Sequence, residues 1–252
     1  MSIILDHNLK DKVALITGAA QRIGAMTART LHAAGANLIL HYRSSRKEAL
    51  KLQIELHKNR PDSVLLVQAE LLDLANLVTL AKQAHAQWGR LDILVNNASS
   101  FFPTPIGKVT EEEWDDLMGS NLKAPFFLSQ AVAPFLKQSK GCIVNIVDIH
   151  SQRPMAEHAV YNMAKAGLEM QVKTLACELG PEVRVNGVSP GAIMWPQNDM
   201  DDITKKRIIS RTYLKRKGKA EDIARSVLFL VRDADYITGQ IVAVDGGRSL
   251  FL

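Results

Sequence analysis

The sequence predicts an α/β fold: a doubly wound parallel sheet of about seven strands with helices on both faces. Two observations predict it. Short apolar runs rich in β-formers alternate with longer stretches of helical periodicity along the 252 residues. Several of the short runs are continuously apolar, as strands are when both faces are covered. Such alternation requires crossovers, which are right-handed and lay helices on both sides of a parallel sheet. A chain of this length fits one domain and can bury roughly three quarters of its unfolded surface. No internal repeat, low-complexity segment or linker interrupts it, so residues 1–252 are expected to form a single domain.

In chain order, the strand-like runs are 13–16 (VALI), 37–41 (NLILH), 64–68 (VLLVQ), 93–96 (ILVN), 142–147 (CIVNIV), 184–188 (RVNGV) and 241–244 (IVAV). Helical patterns fall between them at 22–34, 46–58, 74–88, 122–137, 158–179 and 221–231. The rhythm breaks at 191–219, which carries Trp195, Pro196 and a polar stretch before a basic block. A long late excursion in such a fold is expected to act as a lid over a site.

Composition narrows the classes. Hydrophobic residues make up 47% of the chain, which argues against disorder. There is no apolar run long enough to cross a membrane, and the block Ile3, Ile4, Leu5 is too short for a signal peptide. Cys142 and Cys177 show neither metal-ligand spacing nor a disulfide framework, which fits two thiols in a reducing cytoplasm with no metal. The net charge of +5 is concentrated in Lys205, Lys206, Arg207, Arg211, Lys215, Arg216, Lys217 and Lys219. A solvated helical face accounts for this block, and steering of an anionic ligand is the functional alternative. Without interleaved aromatics, a nucleic-acid surface is not expected.

The first strand is followed by Thr17-Gly18-Ala19-Ala20-Gln21-Arg22-Ile23-Gly24 and then by a helix. Strand, glycine loop and helix start stand in the order a dinucleotide site needs, with the pyrophosphate at the helix N-terminus. Gly18, Arg22 and Ile23 are its expected contacts. The second strand ends in His41-Tyr42-Arg43-Ser44-Ser45, with no acid to meet a ribose 2′-hydroxyl. Arg43 beside Ser44 and Ser45 suits a 2′-phosphate instead, so the expected cofactor is NADP(H). Glu70, followed by Leu71, is placed after the third strand to meet the adenine.

Further on, Asn96-Asn97-Ala98 follows the fourth strand, Asn121 lies in the next helical region, Tyr161-x-x-x-Lys165 opens a long helix, and Pro190-Gly191 follows the sixth strand. With the glycine loop, these motifs resemble the short-chain dehydrogenase/reductase family over nearly the whole chain, which implies a Rossmann fold. Asn97, Ala98, Ser99, Asn121, Tyr161, Lys165, Pro190 and Gly191 then join the expected cofactor contacts. Three departures resemble the pteridine reductase branch: Arg22 where a glycine is usual, Asp148 where a serine is usual, and NNASSFFPTP in place of Asn-Asn-Ala-Gly. HYRSS and VDGGRSL agree with it. That resemblance implies Phe101 stacked on a pterin, Ser99 bonded to pterin or cofactor, and Arg22 touching pyrophosphate and ligand. It also implies a small-molecule pterin or folate substrate and a homotetramer built on the helices near 122–137 and 158–179. Glu70 stands where aspartate is usual in that branch, and the 191–219 segment is this chain's own.

The residues themselves give a chemistry. Tyr161 and Lys165 share one helical face. A lysine cation within about 4–6 Å favours a phenolate and is expected to lower the tyrosine pKa from its ordinary value near ~10. A serine thirteen residues before the tyrosine would hold an oxyanion; Asp148 instead suits a C=N reduction, in which a ring nitrogen gains a proton. Partial burial is expected to keep Asp148 protonated or to let it relay protons to Tyr161. Ser151 is a rival hydroxyl, and Phe102 is expected in the core. The competing activity is reduction of a carbonyl such as a 3-oxoacyl thioester.

Overall fold

The computed structural model describes residues 8–195 and 201–251. The N-terminal apolar block and part of the expected lid, 196–200, lie outside the described residues. Seven strands form one parallel sheet: β1 Val13–Ile16, β2 Asn37–Tyr42, β3 Val64–Gln68, β4 Ile93–Asn96, β5 Cys142–Ile146, β6 Arg184–Pro190 and β7 Ile241–Val244, in the spatial order β3-β2-β1-β4-β5-β6-β7. The expected sheet is therefore observed, with β2 and β6 running on by one and two residues and β5 stopping one short.

The helices are α1 Arg22–Ala33, α2 Arg46–Asn59, α3 Leu74–Ala86, α4 Glu111–Met118, α5 Ala124–Ser139, α6 Ala159–Leu179, α7 Asp202–Ser210 and α8 Ala220–Arg232. All six expected helices are present. α4 was not foreseen, because Leu117 is its one buried residue. α7 carries the first part of the basic block expected as a solvated helical face, and it buries no residue. α4 is held by its ends instead. Thr110 accepts from the Glu113 amide while Glu113 reaches back to the Thr110 amide, and three glutamates in the first turn favour the helix dipole. Between α4 and α5 the chain widens into a π turn, Gly119–Lys123, which carries Asn121 inward. Such turns recur at functional sites.

Strand side chains alternate between two cores. Ala14, Ile16, Leu38, Leu40, Ile93, Val95 and Val144 face α1, α2 and α8 through Ala28, Leu31, Leu52, Val227 and Leu230. Val13, Leu15, Ile39, Leu94 and Ile143 face α3, α5 and α6 through Leu77, Leu80, Leu128, Val132 and Val172. Each buried leucine contributes roughly 1.5–3 kcal/mol, so two-sided burial explains why the strands read as continuous apolar runs.

The two edges of the sheet differ. At the N-terminal edge, Asp92 precedes β4 and receives Arg90 Nε, Arg90 Nη2, Lys12 Nζ and the Val13 amide. This pins β1 to β4. At the C-terminal edge, β1 pairs with both β2 and β4, so successive crossovers leave in opposite directions. A crevice opens there, where ligands of doubly wound sheets bind.

Candidate active site

The crevice is a cavity of about 570 Å³. Its first half is backbone. Gly18 has φ +61°, and a Cβ there would stand 2.9 Å from the Ala98 Cα, so glycine is required both for conformation and for approach. Asn97 Nδ2 donates to the Thr17 and Gly18 carbonyls, while Thr17 Oγ1 accepts from the Asn97 and Ala98 amides. These bonds tie the end of β1 to the end of β4. His41 is 1% exposed. Its Nδ1 accepts from the Gly18 amide at 3.2 Å and its Nε2 bonds the Ala69 carbonyl at 3.1 Å. Burial holds its pKa below the usual histidine value, so the neutral ring is a strut under the glycine loop as well as part of the wall.

α1 begins at this loop with Gln21 offering no side-chain cap and no acid in the first turn. Its first amides are therefore free to meet an anion. Arg22 has φ +53°, a left-handed conformation that favours the glycine usual at this position; holding an arginine there costs about 1 kcal/mol. Its exposed Nη2 lies 3.4 Å from the Trp195 carbonyl. Ile23, Tyr42, Arg43, Ser44, Ser45, Glu70, Leu71, Pro190 and Gly191 all line the cavity. Arg43 is exposed at the end of β2, with no side-chain partner among the described residues. An uncapped helix, a glycine approach and an unpaired arginine at the second strand end fit the phosphates of a dinucleotide.

The second half is built from side chains. Asp148 follows β5 and caps a 3₁₀ turn, its Oδ1 accepting from the His150 amide at 2.9 Å. Its Oδ2 accepts from the Tyr161 hydroxyl at 2.9 Å. Lys165, 2% exposed, donates to the Ile146 carbonyl at 3.0 Å, and its Nζ lies 5.6 Å from the Tyr161 ring centroid. Phe101 keeps 46% of its surface exposed. It stacks on His158 (4.8 Å, 17°) and meets Tyr161 edge-on (4.9 Å, 79°). Phe102 packs with Leu117, Val160 and Tyr161, as expected of a core residue.

One expectation is corrected. Lys165 does not hold the tyrosine down. Burial, the charge of Asp148 and the hydrogen bond to it push the Tyr161 hydroxyl well above its ordinary value. Burial in turn lowers Lys165 to about 8, partly offset by Asp148. The tyrosine is a protonated donor here, because its nearest charge is a carboxylate. Asn121, for its part, is fully buried and does not reach the cavity wall. It stands behind the wall, accepting from Ser99 Oγ at 2.6 Å and donating to the Ser100 and Leu117 carbonyls. Ser151 donates to Glu169 at 2.8 Å and is not part of the wall.

Sequence reasoning missed Arg248, His150, Met194 and Ile208, all of which line the cavity, and gave Trp195 no role beyond the lid. Arg248 sits in the VDGGRSL stretch, where the two glycines after β7 were the available signal for a loop returning to the site. Trp195, Met194 and Ile208 place the described part of 191–219 against the cavity.

A family model described as Enoyl-(Acyl carrier protein) reductase matches residues 18–249. The chain is 37% identical to Pteridine reductase 1 of Leishmania tarentolae, over 94% of this chain and 96% of that protein. It is 35% identical to the 3-oxoacyl-(acyl-carrier-protein) reductase FabG of Staphylococcus aureus, over 94% of this chain and 97% of that protein. A solved blue fluorescent protein from a metagenomic library, in complex with NADPH, matches with a TM-score of 0.90 and 34% identity over 96% of this chain and 99% of its own. The chain belongs to the short-chain dehydrogenase/reductase family of oxidoreductases.

Proposed function

We propose that the protein is an NADPH-dependent pteridine reductase acting on a ring C=N bond of a dihydropterin or dihydrofolate. The observation that carries this reading is the Asp148–Tyr161 hydrogen bond at 2.9 Å in an otherwise ordinary Tyr-Lys site. Identity does not discriminate, since a pteridine reductase at 37% and a 3-oxoacyl reductase at 35% stand almost level. The proton chemistry supports the pterin reading.

NADPH, when bound, supplies the hydride to the ring carbon. The chain supplies the proton and the geometry. Arg43, Ser44 and Ser45 hold the 2′-phosphate, the α1 N-terminus and Arg22 meet the pyrophosphate, and Lys165 orients the ribose hydroxyls. Phe101 offers one exposed ring face to a flat substrate. Tyr161 gives its hydroxyl proton to the ring nitrogen. The hydroxyl is the donor in its bond to Asp148 at 2.9 Å, so it carries a proton to give. Asp148 accepts from two donors, so of its two expected roles the relay agrees with the geometry: once Tyr161 has given up its proton, the Asp148 carboxylate takes one from solvent water entering the cavity, leaving hydroxide to the bulk, and hands it to the tyrosinate, which restores both groups. A carbonyl reductase would use a hydroxyl at that position to hold an oxyanion, and Ser151 is turned away.

α5 and α6 leave Phe126, Met163 and Met170 exposed, which supports the tetramer that the family resemblance implied. The deciding experiment is NADPH oxidation by the purified protein with dihydrobiopterin, dihydromonapterin, dihydrofolate, biopterin and an acetoacetyl thioester. Reduction of a pterin or folate with little thioester turnover is expected. Faster turnover of the thioester would replace this reading with carbonyl reduction.

A further inference from the structure

Arg248 is a cation in the cavity wall with no partner among the described residues. It lies just after β7 in a loop fixed from both sides. Asp245 Oδ1 accepts from the Gly247 amide at 2.9 Å and Oδ2 from the Ser249 amide at 2.7 Å. The Leu214 amide donates to the Gly246 carbonyl at 3.1 Å. Gly246 and Gly247 have φ +64° and +79°, and a Cβ on Gly246 would stand 2.8 Å from Thr212 Cγ2. The arginine is therefore aimed by the fold.

Its guanidinium makes no hydrogen bond or ion pair with any described residue. The two carboxylates within electrostatic reach are Asp148 and Asp245, and both have their oxygens committed, Asp148 to Tyr161 and the His150 amide, Asp245 to two amides. Burial, the largest effect, disfavours its charged form; Asp148 and Asp245 favour that form, and Arg211, of like sign, opposes it. A partly desolvated cation with a repelling neighbour gains by meeting an anion, and a planar guanidinium accommodates a carboxylate through two parallel bonds.

We propose that Arg248 determines substrate specificity by receiving an anionic tail on the substrate, so that among pterins the enzyme favours those carrying a carboxylate-bearing substituent. This rests on the pteridine-reductase reading. It divides substrates that share one ring: dihydrofolate ends in carboxylates, whereas the side chain of dihydrobiopterin is neutral. A phosphorylated pterin offers related chemistry with a tetrahedral anion.

The test compares kcat and KM of wild type, Arg248→Gln and Arg248→Lys on dihydrofolate, dihydroneopterin phosphate and dihydrobiopterin, with NADPH affinity measured for each protein. In the glutamine variant the kcat/KM ratio of dihydrofolate to dihydrobiopterin should fall by about tenfold or more, the worth of a charged hydrogen bond. The loss should lie in KM, with lysine restoring part of it. A fall confined to the phosphate arm would assign the tail as phosphate and overturn the carboxylate preference. Equal losses on all three substrates, no loss on any, or a loss of NADPH affinity would overturn the proposal outright. If wild type reduces no pterin, the parent reading fails. Calorimetric titration of the NADPH-loaded protein with p-aminobenzoylglutamate then reads the anion site separately: binding that disappears in Arg248→Gln retains it, and absence of binding to wild type removes it.

Discussion

Asp92 and Asp148 stand at opposite edges of the same sheet, each with both carboxylate oxygens engaged. Asp92 precedes β4 and is surrounded by Arg90, Lys12 and the Val13 amide. Burial alone would raise its pKa, but those donors outweigh it and hold the carboxyl below its usual range. Asp148 follows β5 and has one amide and one phenol, with an open cavity beside it. The first carboxylate is saturated by the fold. The second is bonded to a group that has a proton to give. Satisfying a carboxylate with fixed cations makes a structural clamp, whereas pairing it with a neutral acid next to a cavity makes a site for proton transfer.

The largest expected effect sharpens the Asp148 side of this contrast. Tyr161→Phe should lose about 10²–10⁴-fold in kcat while NADPH still binds, and Asp148→Asn should fall in the same range, since the amide cannot release a proton at neutral pH. Steady-state rates with one dihydropterin across pH check both. An Asp148→Asn enzyme within a few-fold of wild type would reduce the carboxyl to a turn cap.

Asp92→Asn should do the reverse, costing about 2–4 kcal/mol of stability with kcat little changed, because two cations lose a buried partner. The pH dependence follows from the lowered pKa. The stabilisation is complete above the carboxyl's unfolded value, near ~4, and is lost as pH falls through the folded value. Urea midpoints against pH should show a steep acid limb in wild type that is shallower in the variant. Parallel limbs would mean that Asp92 is not the clamp.

At the cofactor end, Arg43→Ala should weaken NADPH by about 1.5–3 kcal/mol and NADH far less, as loss of a charge-assisted contact does. Equal losses for both cofactors would remove Arg43 from the 2′-phosphate. The smallest effect belongs to Phe101→Ala, for which the dissociation constant of a pterin should rise by roughly 5–10-fold, about 1–1.4 kcal/mol of ring contact. NADPH affinity should be nearly unaltered. Titrating both ligands onto the variant decides it.

The sequence by itself determined the sheet, its seven strands and the glycine loop. Two-sided burial writes itself as continuous apolar runs, and a close backbone approach writes itself as glycine at position 18. It also marked Asp148, Tyr161 and Lys165 through fixed spacing along one strand-turn-helix unit. α4 left only the Thr110–Glu113 capping pattern as a trace, because a short helix without an apolar face has no period to read. The tertiary structure alone decided the partners. Spacing could put Lys165 one turn from Tyr161, but only packing showed the lysine bonded to the Ile146 carbonyl and the tyrosine buried and facing a carboxylate, which reversed the expected pKa shift. In the same way, Asn121 lies behind the wall and Arg248 in it, because which side chains share a cavity depends on crossovers that join segments far apart in the chain, and hydrogen-bond direction and burial are set only there.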